Sequence, residues 1–113
     1  MVYEFEGAVS VEYPAEVDRP KMRQTFILEG IAVTWDAAPT TSENIRLSLE
    51  LHGEGVSMEP LVVSFDPSDE SATSWVHMIA DCSIPLPVNT RAKVEYTNTD
   101  ATLVKVGFLG YWR

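Results

Sequence analysis

Regular alternation of apolar and polar residues is the main pattern of the chain, and it is clearest between positions 45 and 51. A period of two puts the apolar side chains on one face of a strand and the polar ones in water. The stretch 37–42 before it has no such period and contains Pro39, so the chain should turn there. The apolar residues of the predicted strand are Ile45, Leu47, Leu49 and Leu51.

The alternation changes phase once, between positions 26 and 35. Phe26 and Leu28 share one face of a strand, whereas Ile31 and Val33 join that face only if one extra residue lies between the two pairs. Gly30 lies at the change of phase. A glycine in mid-strand where the pattern shifts is typical of a β-bulge. We therefore predict a bulge at positions 29–30.

Two further strands are predicted near the C-terminus. Residues 91–97 alternate between apolar and charged types, and 98–101 is a turn signal because Asn98 and Asp100 tolerate left-handed backbone. The final strand, within 102–112, is apolar on both faces. An exposed edge of that kind promotes aggregation. We expect this strand to be central or covered by a partner.

The whole pattern predicts an all-β protein. Seven or eight strands with turn signals between them, and no helical period, are typical of a single antiparallel β-sandwich, with a jelly roll as the specific topology. We place the β-sandwich domain at 25–113, after an N-terminal arm at 1–24. Pro14 and Pro20 predict that the arm is extended or forms an edge strand. Its aromatic side chains then pack on the chain's own sandwich or on a neighbouring subunit.

Charge narrows the class of partner. The formal charge of −9 opposes nucleic-acid binding, which depends on Lys and Arg contacts to phosphates. No apolar run is long enough for a membrane helix, and the first residues show no secretory signal, so we expect a cytoplasmic site of synthesis. Arg19, Lys21 and Arg23 form a basic group that either docks on an acidic partner or is a solvated linker.

Residues with catalytic or metal-binding chemistry form no motif. Cys82 has no disulfide partner and is expected to be a buried apolar residue, and His52 and His77 are too scattered for a zinc site. The acidic loop 66–71 fits a turn capped by Asp66 better than a calcium site. We therefore expect no enzyme activity, no metal and no cofactor.

Three turns of the chain together resemble those of a known family. They are 37–44 before an alternating strand, 66–68, and the 94–100 segment before the last strand. In this order they resemble small β-sandwich proteins of tailed-phage virions, over about residues 25–112. The resemblance implies a structural role on the capsid surface as a head decoration or cement protein. It also implies the major capsid protein as partner and a homo-oligomer, with a trimer favoured.

Three hypotheses follow. A decoration protein would bridge neighbouring capsid subunits, and we expect its contact in the N-terminal arm. The second hypothesis is a head-to-tail connector or fibre component on the same fold. The third is a carbohydrate-binding module that stacks tryptophans on sugar rings, although the alternation favours a core position for Trp35, Trp75 and Trp112. The residues assigned to the arm contact are Tyr3, Phe5, Tyr13, Arg19, Lys21 and Arg23.

Overall fold

The computed structural model describes residues 2–14, 24–53, 56–69, 71, 73–78, 84–87 and 90–113, with the side chains of 51–53 and 56–62 outside the description. Every described element of secondary structure is a β-strand. In chain order the strands are β1 (Val2–Phe5), β2 (Val9–Tyr13), β3 (Phe26–Trp35), β4 (Ile45–Gly53), β5 (Val56–Phe65), β6 (Ser74–Met78), β7 (Ile84–Leu86), β8 (Thr90–Tyr96) and β9 (Val104–Trp112).

The strands form two antiparallel sheets that share one core. One sheet has the order β1-β9-β3-β6, and the other has the order β2-β8-β4-β5. In the first sheet, the short β7 pairs with the beginning of β3, and β6 pairs with the later part of β3 on the same side. When the short β7 is left out, the first and last strands pair in one sheet and the second and second-to-last pair in the other, which is the strand order of a jelly roll. The predicted antiparallel β-sandwich is confirmed.

Alternate residues of both sheets fill the space between them. Ile45, Leu47 and Leu49 of the predicted inward set of β4 are buried, whereas the side chain of Leu51 lies outside the description. In β8, every second residue is buried. β9 lies between β1 and β3, so the predicted central position of the last strand is confirmed. The largest apolar side chains that are completely buried are Leu28, Ile31, Ile45, Leu47, Leu86, Val33, Val94, Val104 and Val106.

Two irregularities bend the sheets. The register of β3 against β9 shifts between Leu28 and Gly30, which confirms the predicted bulge. A second shift, between Leu49 and Leu51 of β4, lies opposite the part of β5 that contains Pro60. Pro60 lies inside β5, which begins at Val56. An edge strand with a local irregularity tolerates proline because no ladder bond is required from its nitrogen.

The described part of the N-terminal segment contributes one edge strand to each sheet. β1 pairs with β9, and β2 pairs with β8. The sequence left two surfaces open for the aromatic side chains of this segment, the chain's own sandwich and a neighbouring subunit. The aromatic side chains that the structure describes pack on the chain's own sandwich. Tyr13 is 4% exposed, and its ring centroid lies 4.9 Å from that of Phe26 and 5.1 Å from that of Phe108. The rest of the predicted arm, 15–23, lies outside the described residues.

We predict that Gly110→Ala destabilises the fold by about 1–3 kcal/mol, the usual cost of overpacking. A β-carbon at Gly110 would overlap the main-chain carbonyl oxygen of Ile27 and lie 2.9 Å from the Phe26 ring. Main-chain atoms cannot move aside without separating β3 from β9. The measurement is the free energy of unfolding in urea.

Gly7→Ala is the matched control, because a β-carbon there meets no atom within 4 Å. It should change the free energy of unfolding by no more than about 0.5 kcal/mol. Equal effects of the two substitutions would contradict the close approach at Gly110.

Candidate interaction surface

The two sheets present very different outer faces. On the four-stranded sheet, β2, β8 and β4 place charged side chains outward, and these pair across the strands. Arg91 of β8 reaches Glu12 of β2 at 3.2 Å, and Arg46 of β4 reaches Glu95 of β8 at 3.5 Å. This surface, the charged face, consists of Glu12, Arg46, Glu50, Arg91, Lys93 and Glu95.

Lys93 joins the pairs of the charged face into one network. Its Nζ lies 3.5 Å from Glu50, 3.7 Å from Glu95 and 4.0 Å from Glu12. Burial opposes the charged form of this amine, but the carboxylates outweigh that effect, led by Glu50, and raise the pKa of Lys93 above its ordinary value.

The alternation of β4 led us to expect its polar residues in water, and this was wrong for two of them. Ser48 and Glu50 are both buried. β4 is a central strand, and Lys93 on the neighbouring β8 contacts the Glu50 carboxylate. Long charged side chains cover the strand beside them with their apolar stems, so a polar residue at the centre of a sheet is shielded even on the outer face.

The outer face of the five-stranded sheet is apolar over most of its area. The strand registers align its residues in rows that cross the sheet. One row runs through Val2, Gly107, Ala32 and Val76, the next through Leu109, Gly30 and Met78, and a third through Tyr111, Ile27 and Pro85. We call these ten residues the apolar face.

Exposure singles this face out. Within the described part of the chain, all the exposed large apolar side chains belong to it: Val2 at 64%, Val76 at 58%, Met78 at 53% and Tyr111 at 48%. A contiguous apolar surface of this kind marks an interaction site, whereas scattered exposed residues are ordinary. The apolar face is therefore the strongest candidate for a binding surface.

A polar row borders the apolar face at one end. It contains Glu4, Lys105, Thr34 and Ser74, one from each strand. The Lys105 amine lies 3.9 Å from the Glu4 carboxylate, so the two charges in this row have opposite signs and form an ion pair. Glu29 is half-buried at the bulge and directly precedes Gly30, a residue of the second apolar row.

Carboxylates at one end of the sandwich tie three turns together, and we call this region the loop end. The Asp100 carboxylate accepts hydrogen bonds from the Thr40 backbone N–H at 2.6 Å and from the Thr41 hydroxyl at 2.7 Å. Glu43 accepts from the backbone N–H and the hydroxyl of Thr99, both at 2.8 Å. Residues about sixty positions apart are thereby joined.

Asp66 joins the third turn to the loop end. Its carboxylate accepts a hydrogen bond from the Ser42 hydroxyl at 2.6 Å and from the Ser68 backbone N–H at 3.0 Å. The predicted turn capped by Asp66 is confirmed. The hydrogen bond from the Ser42 hydroxyl is the main cause that lowers the pKa of Asp66, and the one from the Thr41 hydroxyl is the main cause that lowers the pKa of Asp100.

The loop end acts as a structural latch, a set of hydrogen bonds that holds the three turns together. The oxygens of Asp66, Asp100 and Glu43 are engaged by hydroxyl and N–H donors. Among the residues that the structure describes, no group of three His, Cys, Asp or Glu side chains is placed to hold a metal ion.

An open depression of about 530 Å³ lies beside the loop end, next to Tyr96. The pKa of the Tyr96 phenol is raised, first by burial and then by the charge of Glu43.

The residues assigned to the N-terminal contact do not form one outward patch in the described structure. Tyr3 and Phe5 are partly buried and pack against the core, and Tyr13 belongs to the core. Arg19, Lys21 and Arg23 lie outside the described residues. Their role in a partner contact stays a prediction, and the apolar face is a surface that our reading of the sequence did not identify.

The tryptophans pack against the core, as alternation predicts. Trp35 is buried, and Trp75 and Trp112 pack against the core from partly buried positions. The His77 ring lies 5.9 Å from the Trp75 ring. Trp35 is therefore not available to stack on a sugar ring, and carbohydrate binding by Trp75 and Trp112 stays a prediction. Cys82 and the side chain of His52 lie outside the description.

A signal for the apolar face was present in two strands. The last strand is apolar on both faces, and so is the segment around Val76 and Met78. For each strand considered alone, a central position in a sheet explains why both of its faces are apolar. Only the sheet order, which puts β6 at an edge and aligns its outward residues with those of β9 and β1, turns these patterns into one surface.

Comparison of the chain with protein-family models, with curated proteins and with solved structures found no match. The described residues include no helix of the length and apolarity that crossing a membrane requires.

We predict that the loop end contributes stability that is lost in acid. A carboxyl with a lowered pKa in the folded state stabilises the fold above its unfolded pKa, about 3.9 for Asp, and this contribution disappears as the pH falls through the lower folded value. The free energy of unfolding should therefore decrease from about pH 5 towards pH 2, and Asp100→Asn should be less stable than wild type at pH 7, with a shallower decrease. Urea titrations at several pH values measure this.

Asp36→Asn is the control, because it removes the same charge from an exposed side chain outside the latch. It should follow the wild-type pH profile. Identical profiles for Asp100→Asn and Asp36→Asn would show that the latch does not contribute.

Proposed function

We propose that this chain is a non-enzymatic structural protein of a tailed-phage virion, a head decoration or cement protein that binds the major capsid protein and bridges neighbouring subunits. The observation that supports a binding role is the apolar face, which carries the exposed large apolar side chains of the described chain. The assignment to a virion rests on the resemblance of the three turns.

The three turns that carry the resemblance lie together at the loop end. These turns are hydrogen-bonded to one another through Asp100, Glu43 and Asp66. They therefore form a single feature at one end of the fold rather than three independent similarities.

A decoration protein acts by burying surface across the joints between capsid subunits. Binding to the closed lattice and not to the opened one adds free energy to the closed state. The rings of Tyr3, Phe5 and Tyr13 pack on the chain's own core, so we propose the basic residues as the direct contact. Arg19, Lys21 and Arg23 would meet acidic groups on the capsid surface.

A head-to-tail connector or fibre component on the same fold is the second candidate. Quantitative mass spectrometry of purified particles separates the two by the number of copies per capsid protein. Copies on the order of the capsid protein's own number are expected of a decoration protein, because the lattice repeats its binding site. A single ring of copies would point to the connector or tail, and absence from the particle would contradict the virion role.

We predict that replacing the basic residues with glutamine (Arg19→Gln, Lys21→Gln and Arg23→Gln together) weakens binding to capsids that lack this protein about tenfold. Exposed ion pairs contribute a few tenths of a kcal/mol up to about 1 kcal/mol each, and tenfold corresponds to about 1.4 kcal/mol. Wild-type binding should also weaken with salt, and the variant's binding should depend on salt less. Co-sedimentation with capsids measures both effects.

Arg113→Gln provides the control, since it removes an exposed cation at the other end of the chain. Its affinity for capsids should equal that of wild type. If the triple variant binds as tightly as Arg113→Gln, the basic residues are not the contact.

A further inference from the structure

We propose that the apolar face binds a second copy of this chain, so that two five-stranded sheets stack face to face in a symmetric dimer. This inference goes beyond the proposed virion role and does not depend on it, because it rests only on the surface of the described sheet. It names the surface that joins two copies and the number of copies joined.

The size of the face agrees with a small specific interface. Neighbouring strands lie about 4.8 Å apart, and alternate residues along a strand are separated by about 6.8 Å, so the ten positions of the apolar rows cover about 330 Å². With the bordering polar row and the relief of the side chains, this approaches about 600 Å² of accessible surface per copy, the lower end of specific interfaces.

Sheet faces are suited to pack on other sheet faces. Two sheets stack about 10 Å apart when both contacting surfaces are apolar and close to flat. The inner faces of this sandwich already pair in that way. The remaining apolar sheet surface in the described structure is the apolar face, and a second copy supplies a surface of identical width and relief.

Charge favours this approach of two copies. Each chain has a formal charge of −9, so copies repel each other in most orientations. The apolar rows contain no charged side chain, and the polar row contains one cation and one anion, Lys105 and Glu4. The loop end, by contrast, presents three carboxylates. The apolar face is therefore where two acidic copies meet with little repulsion.

We propose a two-fold axis parallel to the strands for the alignment of the two copies. A two-fold axis parallel to the strands reverses the order β1-β9-β3-β6, so β6 of one copy lies over β1 of the other and β9 lies over β3. Val76 then faces the partner's Val2, and the reciprocal contact forms at the other edge. The polar rows coincide in this alignment, with Glu4 opposite the partner's Ser74 and Lys105 opposite the partner's Thr34, so no like charges are opposed.

Small and large residues are mixed over the apolar face. Ala32 and Gly107 occupy the middle strands of the first apolar row, between the bulkier Val2 and Val76. In the other two rows the middle strand β9 carries the larger Leu109 and Tyr111. A β-carbon on Gly30 would lie 2.8 Å from the Met78 sulfur, so Met78 already lies across this glycine.

A symmetric stack of this kind is complete with two copies, because each face is used once. The dimer therefore differs from the trimer that the resemblance implies. Sedimentation velocity of the purified full chain from about 1 to 200 μM tests this, a range set by the micromolar affinity expected of an interface this small. The mass should rise from 12.6 kDa to twice that value.

Two charge substitutions at opposite edges of the face test the alignment. Val76→Glu on β6 and Val2→Glu on β1 each add an anion to an exposed position, and each should weaken dimerisation at least tenfold. Ser10→Glu is the matched control, because it adds the same charge to an exposed residue of an edge strand in the other sheet. It should leave the dimer unchanged. Circular dichroism melts verify that all variants fold.

Several outcomes would overturn the inference. A wild-type chain that stays monomeric at 200 μM leaves the face free for a partner of another kind, and a mass of three chains contradicts two-fold closure. Loss of the dimer in Val76→Glu but not in Val2→Glu would indicate pairing along the β6 edge instead of stacking. Because this assay contains no capsids, its failure is distinguishable from failure of the virion role.

Discussion

The pairing of β9 with β3 is the constraint on which the rest of the fold depends. These long strands lie at the centre of the five-stranded sheet and run antiparallel from Phe26 opposite Trp112 to Trp35 opposite Val104. Without the shift between Leu28 and Gly30, the residues on the two sides of the bulge would point to opposite faces. The bulge is what keeps both Leu28 and Ile31 in the core.

Once that pairing is in place, the jelly-roll order distributes the remaining strands on either side of one core and leaves two outer faces. The outer face of the four-stranded sheet is charged. Lys93 lies among the carboxylates of Glu50, Glu95 and Glu12, which belong to three strands. The outer face of the five-stranded sheet has a polar row at one end only, and its other rows are apolar. This asymmetry is not required by the core, because outward residues contribute little to its packing. It is the feature of the structure that supports the proposal of a partner.

The loop end shows how carboxylates join turns that are distant in the sequence. Asp100, Asp66 and Glu43 each accept hydrogen bonds from hydroxyl and N–H groups of another turn or of their own. Hydrogen bonds to the ionised form of Asp66 and Asp100 stabilise that form and lower the pKa of both carboxyls. Their arrangement holds the turns in position.

The sequence by itself determined the local structure, because strand periodicity and turn chemistry act over a few residues. The all-β class, the bulge near Gly30, the turn at Asp66 and the central place of the last strand all followed from such patterns. Sheet order, and with it the surface, was decided only by the tertiary structure. Glu50 reads as a solvated residue until Lys93 is placed beside it, and Val2 and Val76 become part of one surface only through the two strands between them. Contacts across the sheet join residues far apart in the chain, and no local pattern encodes which of them meet.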